Sequence, residues 1–219
     1  MEAGHAAGHR PDDAARPRRG RRPRTYAAVL DATARLLETT PLAELSVAQI
    51  LDGAGVGRTS FYEHFTSKDD VVARLVQTIG DDAARDMEPM FRRDGRSPDE
   101  AIRAGIANLV RSGARHAPLL VAVAEEWPAT PRLRTLWFQT LGLVTARLAE
   151  MIDRDRAAGI APAGADSQAL AATLVWSAER TLHVAFGGDH PTLIDEGSVV
   201  DPLAQLFIGT IYGRAPQPR

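Results

Sequence analysis

From Thr25 onward the apolar positions fall into helical spacing. Val29, Leu30, Thr33, Leu36 and Leu37 recur at i, i+1, i+4, i+7 and i+8, one face of a 3.6-residue period, and Pro41 stops the run. "SVAQ" (46–49) has the form of a capping box, with the Ser46 hydroxyl accepting from the Gln49 amide while Gln49 reaches back. It predicts a short helix from Val47 to about Asp52 that ends at Gly53 or Gly55. "RTSFYEHF" (58–65) predicts a second short helix, and "TSKDD" opens a third near Ser67. Farther along, "SPDE" (97–100) offers Ser97 as N-cap, Pro98 at the first helical position and Glu100 to close another box. Thr130-Pro131 repeats that start signal for a run to about Ala158, where Gly159 supplies a stop. Asp166 caps a further helix ending at Gly187-Gly188. A last amphipathic segment ends at Tyr212-Gly213, with Pro202 either opening it or interrupting its first turns. No alternating stretch of useful length and no internal repeat is present, so the pattern predicts an all-α chain.

Composition narrows the class. At 219 residues, 44% hydrophobic and 25% charged, the chain suits a globular protein of one large domain or a small domain joined to a larger one. No stretch approaches the roughly 18 consecutive apolar residues of a membrane helix, and paired arginines near the start precede no apolar segment, so the cytoplasm is the expected location. The absence of cysteine excludes a disulfide framework and a thiolate metal site. Charge is uneven. Residues 1–24 hold seven Arg against Glu2, Asp12 and Asp13, a net of +4 in a chain whose total is −2, leaving −6 for the rest. Rich in Arg, Pro, Gly and Ala and without apolar periodicity, this arm reads as disordered, either a solvating tail or a nucleic-acid contact. "RRGRRPR" (18–24) is similar to an AT-hook, in which arginines beside a glycine enter a narrow minor groove.

The run "GAGVGRTSFYEHFTSKDDV" (53–71) concentrates aromatics in a chain that is only 5% aromatic. Two short helices joined by Ala54-Gly55-Val56 fit a helix-turn-helix, with a glycine where the tight turn requires positive φ. Phe61 and Phe65, four apart, share a face and are assigned to the core. Arg58, Thr59 and Ser60 stand at the helix start, the part of a recognition helix that reaches base edges. Arg suits guanine bidentately, while Thr and Ser bond bases or pack on a thymine methyl. Tyr62, His64 and Lys68 follow as donors to phosphates. The same pattern also suits an amphipathic helix that binds no DNA, so spacing alone leaves both readings open.

The pieces "LLETTPLAELSVAQI" (36–50) and "ILDGAGVGRTSFYEHFTSKDDV" (50–71) resemble the DNA-binding domain of the TetR/AcrR family of bacterial regulators, over residues 25–75. Gly57 departs from the Ser or other capping side chain usual there, at a cost of a few tenths of a kcal/mol. "LVWSAERTLHVAFGGDHP" (174–191) and "QLFIGTIYGRAP" (205–216) are similar, more loosely, to the ligand domain of the EthR-type repressors. The resemblance implies a basic arm (1–24), a three-helix DNA-binding head (25–75), a helical ligand-binding and dimerisation domain (76–213) and a short tail (214–219). It implies a homodimer, a double-stranded palindromic operator and a small apolar effector that releases a repressor from it, with no cofactor and no metal. A two-fold interface is expected along Leu170, Leu174, Thr181 and Ala185 and along Leu203, Leu206, Thr210 and Ile211. The ligand tunnel is expected to be lined by Ile102, Leu109, Gly113, Trp137, Val144, Val175, Ala178 and Phe207. Where the family has aromatics near Ile102, Leu109, Gly113 and Val144, and two Asn at Val175 and Ala178, this chain is less aromatic and lacks both amides. Glu179 and Arg180 remain as candidate polar groups there, although an adjacent acid–base pair is more often structural or solvated.

Other function classes find little support. No paired His at metal spacing, phosphate-cradling Gly loop or G-x-S-x-G elbow occurs, and His116, His183 and His190 are scattered, so an enzyme is not expected. An architectural DNA-binding protein or a ligand-insensitive regulator is the alternative reading.

Overall fold

The computed structural model describes residues 21–188, 192 and 196–213, all of its regular structure helical. Of the arm expected to be disordered over 1–24, residues 1–20 lie outside the described residues, as do the tail residues 214–219, whereas residues 21–24 are helical, which corrects that expectation. α1 (Arg21–Leu36) begins four residues before the pattern places it.

The head contains α1, α2 (Val47–Ala54), α3 (Arg58–Tyr62) and the first half of α4 (Lys68–Asp86). Its local signals are realised. Ser46 and Gln49 form the reciprocal box at α2, and Ser67 caps α4 by accepting from the Asp70 N–H. Gly55 takes φ 63°, and the Val56 N–H reaches the Leu51 carbonyl at 3.1 Å, closing a Schellman turn. A side chain at 55 would carry the strain of a left-handed backbone, so the turn that aims α3 depends on this glycine. Val29, Ile50, Phe61 and Phe65 are fully enclosed between α1 and the helices around it.

The body follows as α5 (Glu88–Arg92), α6 (Pro98–Arg115), α7 (Ala117–Glu126), α8 (Pro131–Ala157), α9 (Ser167–Gly187) and α10 (Glu196–Tyr212). α6 lies along α10, α8 along α9, and α7 crosses α9. Ile102, Ile106, Leu148, Ile152, Leu174 and Phe207 belong to the core between these helices. The break between α6 and α7 is not evident in the apolar pattern. Pro118 lacks the N–H that would bond back to the Ala114 carbonyl, so the ladder of α6 cannot run on. Pro202 proves to lie inside α10, which continues past it. Buried Val199 and Leu203 anchor the helix on both sides of the interruption, and their packing outweighs the missing backbone donor.

Two expectations change at this level. Leu174, Leu203 and Ile211 are at most 4% exposed, so they face the chain's own core and not a partner. Of the two expected interface stripes, Leu206 and Thr210 stand exposed and Leu170, Thr181 and Ala185 are half-buried. The division at 75/76 also falls within α4. Val71, Val72, Val76 and Ile79 of this one helix share a core with Phe61 and Phe65 of the head and with Leu119, Val123, Leu133 and Trp137 of the body. The Asp70 carboxylate adds a polar tie at the same junction, accepting from Arg132 at the start of α8 at 2.8 Å. Burial works against that carboxylate, but the Thr66 N–H, Arg132, Arg74 and the Thr66 hydroxyl outweigh it and hold it below the ordinary aspartate range.

Candidate nucleic-acid interface and apolar cavity

The outer face of α3 is built by subtraction. Phe61 is buried with its ring 5.5 Å from that of Phe65, which stacks on Tyr26 of α1 at 5.0 Å. Turning those two positions inward leaves Arg58 and Thr59 exposed, Ser60 half-buried and Tyr62 50% exposed. Four of the six residues expected to meet DNA therefore lie at or near one surface, at the start of a helix held by a fixed turn.

The other two are placed differently. His64 is half-buried, packed edge-on against Tyr26 at 6.1 Å, with its Nε2 enclosed and unpartnered. Lys68 points back into the head, where its ammonium donates to the carbonyls of Leu42 and Leu45 at 2.8 Å and of Ala43 at 3.2 Å. An ammonium has three donors. All are committed to the α1–α2 connection, which corrects the expectation of a free phosphate donor. Lys68→Met is expected to lower stability by about 1.5–3 kcal/mol through these charge-assisted bonds, measured by denaturant unfolding. Unchanged stability with a large loss of operator affinity would return Lys68 to the phosphate role.

The second feature is a cavity of about 150 Å³ inside the body, bounded by every helix from α4 to α10. Of the expected lining residues, Leu109, Gly113, Trp137, Val144, Val175, Ala178 and Phe207 are on its wall. Ile102 is not. It is 1% exposed and packed in the core between α6 and the helices around it. Gly113 has a steric role. A Cβ there would lie 2.7 Å from the Phe186 ring, so the missing side chain makes room for an aromatic wall.

The cavity also has walls that the sequence reading did not assign. Val76, Ile79, Gly80 and Ala83 of α4 form one side. On α9 the wall continues through Glu179, Leu182, His183 and Phe186. With Val175 and Ala178 these positions run i, i+3, i+4, i+7, i+8, i+11, so the helical period identifies the whole stripe once one member is placed. Sequence leaves Glu179 either a polar group of the pocket or a structural or solvated acid. Its side chain is 6% exposed, and neither carboxylate oxygen accepts a hydrogen bond; Arg180 approaches only to 3.9 Å. Burial raises the carboxyl above its usual range despite opposing influences from Arg180, His183 and the Trp137 indole, which closes no hydrogen bond of regular geometry with it. Trp127 and Trp176 lie outside the wall, clustered with Phe138 at 5.4–6.2 Å between ring centres. No described helix is long and apolar enough to cross a membrane.

Comparisons with known proteins place the two halves of the chain in known families. Residues 29–75 match the family described as bacterial regulatory proteins, tetR family, and residues 102–213 match the C-terminal domain of the transcriptional regulator EthR. The HTH-type transcriptional regulator EthR of Mycolicibacterium smegmatis is 31% identical over 190 residues, 87% of each chain. Its namesake from Mycobacterium tuberculosis H37Rv is 30% identical over 187 residues, 85% of this chain and 86% of the relative. Among solved structures, the transcriptional regulator FadR from Bacillus subtilis, in complex with stearoyl-CoA, superposes with a TM-score of 0.70 at 18% identity, covering 85% of this chain and 100% of that one. A regulatory protein TetR from Rhodobacter sphaeroides gives 0.65 at 22% identity, covering 82% and 97%. These likenesses are to regulators and not to enzymes.

Proposed function

The chain belongs to the TetR family of bacterial DNA-binding transcriptional regulators, with an EthR-like C-terminal domain, and from there we propose that it is a homodimeric repressor released from its operator by a small effector with an apolar body. The observation that carries this reading is the position of α4. Val76 and Ile79 belong to the core shared with the reading head and also form the wall of the cavity. A molecule that fills the cavity presses on the helix from which the head is hung. Interiors are close-packed and respond to added volume by shifting elements as units, so a displacement of α4 is passed to α3.

Linkage sets the condition for release. The effector must bind the arrangement with misaligned heads more tightly than the one that fits the operator, or it shifts nothing. In a two-fold dimer the two α3 helices would lie about 34 Å apart to reach successive major-groove faces of a palindrome. A change in their spacing then costs one half-site its contacts.

The test is selection of bound duplexes from a random pool at near-physiological salt, with the full chain and no added ligand. The expected result is a palindromic consensus whose half-sites are one helical turn apart. Weak, sequence-blind, strongly salt-dependent binding would instead identify an architectural protein. A consensus whose affinity no cavity-filling compound alters would identify a ligand-insensitive regulator.

A further inference from the structure

The cavity wall is apolar apart from the Ser112 and Thr140 hydroxyls, both hydrogen-bonded within the chain, and one cluster around Glu179, whose carboxylate has no hydrogen-bond partner. Glu179 is the one acidic or basic side chain other than His183 on the described wall. Both its oxygens are enclosed without a hydrogen bond, and the nearest cation, Arg180, has a half-exposed side chain 3.9 Å away. The Trp137 Nε1 and the His183 Nδ1 are likewise enclosed and unpartnered, and both residues line the same cavity. Buried polar groups are almost always satisfied, so three unsatisfied side chains on one wall are a feature that needs an explanation. The helical stripe supplies the geometry. Glu179 and His183, four apart on α9, stand on the cavity side of the helix between Val175 and Phe186.

We propose that Glu179 is the polar anchor of the cavity and that it selects a compact apolar molecule bearing a basic nitrogen. This rests on the reading of the cavity as the effector site and adds the chemistry of the effector. An ammonium is the group that best answers an enclosed carboxylate, because it supplies opposite charge and donors together. The direction of the Glu179 shift is consistent, since a carboxylate that burial disfavours regains its charged form when a cation is seated against it. The remainder of the ligand meets carbon, from Leu109, Val144, Val175 and the Phe186 ring, with the Trp137 face nearby. A cavity of about 150 Å³ suits one aromatic ring with a short chain.

The experiment titrates the full chain with three congeners of one body, 2-phenylethylamine, 2-phenylethanol and ethylbenzene, by calorimetry. The amine is expected to bind roughly ten- to hundred-fold tighter than the alcohol, the range of a charge-assisted hydrogen bond in a dry site. Glu179→Gln is expected to abolish that preference and leave ethylbenzene unaffected. It should also leave the ligand-free melting temperature equal or higher, because it removes an unpaired enclosed charge. An amine that binds no tighter than the alcohol, or a preference that survives Glu179→Gln, overturns the anchor while leaving the cavity as a ligand site. A lower melting temperature in Glu179→Gln would mark a structural pair with Arg180 and also overturn it. Binding by none of the three congeners removes the cavity reading itself.

Discussion

A chain carrying Arg58→Ala together with Tyr62→Ala is expected to bind its operator at least about 1,000-fold more weakly and to unfold at nearly the same temperature. The two effects separate because both side chains project away from the core. Arg58 is exposed, and Tyr62, half exposed, touches the buried Phe61 only edge-on, at 5.2 Å between ring centres. Removing a guanidinium from a base edge costs about 1–3 kcal/mol, and a phosphate hydrogen bond about 1 kcal/mol more. A two-fold dimer pays this at both half-sites, so even the low end, about 2 kcal/mol per helix, corresponds to roughly three orders of magnitude. The loss from Arg58 should be concentrated on one base position, whereas that from Tyr62 should weaken all sequences alike. Measured binding to a selected operator and to scrambled duplex tells the two apart. Retention of affinity by the double variant would move the recognition surface off α3.

The largest effect on stability is expected from Asp155→Ala, about 3–5 kcal/mol. Asp155 is 2% exposed on α8 and accepts from the Tyr212 hydroxyl at 2.7 Å and from Arg93. Arg93 also donates to the Tyr212 hydroxyl at 3.0 Å. The three groups tie the loop after α5, the C-terminal part of α8 and the last turn of α10. Burial and the neighbouring carboxylate push the Tyr212 phenol far above its usual range, so it remains a donor at every working pH. Arg93 and Asp94 hold φ values of 59° and 46°, a left-handed backbone costing of order 1–3 kcal/mol per residue outside glycine. The charged network helps to hold that loop, together with the Arg154 guanidinium on the Phe91 carbonyl at 3.0 Å. Without the carboxylate, an Arg side chain only 17% exposed keeps the Tyr212 hydroxyl but has no counter-charge, and the loop has reason to relax. For a chain of this size the melting temperature should fall by roughly 6–20 °C. Asp155→Asn keeps the shape and one acceptor and should lose clearly less; equal losses in the two variants would show that charge contributes nothing here.

Neither network nor cavity anchor is written in local sequence. Asp155 and Tyr212 are 57 positions apart, and Arg93 and Asp155 are 62 apart, so only the folded chain identifies them as partners. Lys68 shows the same limit from the other side. Its place just after a recognition helix suggests phosphate, yet its donors are taken by carbonyls 23 to 26 residues earlier, which no helical period encodes. Glu179 was visible as a charge next to an apolar stripe, but an acid on a helix is ordinarily solvated. What makes it exceptional is enclosure by α8 and α9, and enclosure is a property of packing.

What the chain settles by itself is everything governed by neighbours within about four residues. The capping boxes at Ser46 and Ser97, the left-handed Gly55 and the inward pair Phe61 and Phe65 follow from backbone geometry and a 3.6-residue period, and they suffice to build the reading head and to aim α3. Tertiary structure decided which faces meet. Apolar periodicity marks a face as buried but not what buries it, which is why Leu174, Leu203 and Ile211 fit an interface in sequence and the chain's own core in space. The run of α4 from the head's core to the cavity wall was decided in the same way, because hydrophobic contact is non-directional and the long-range packing of the ten described helices selects the partner.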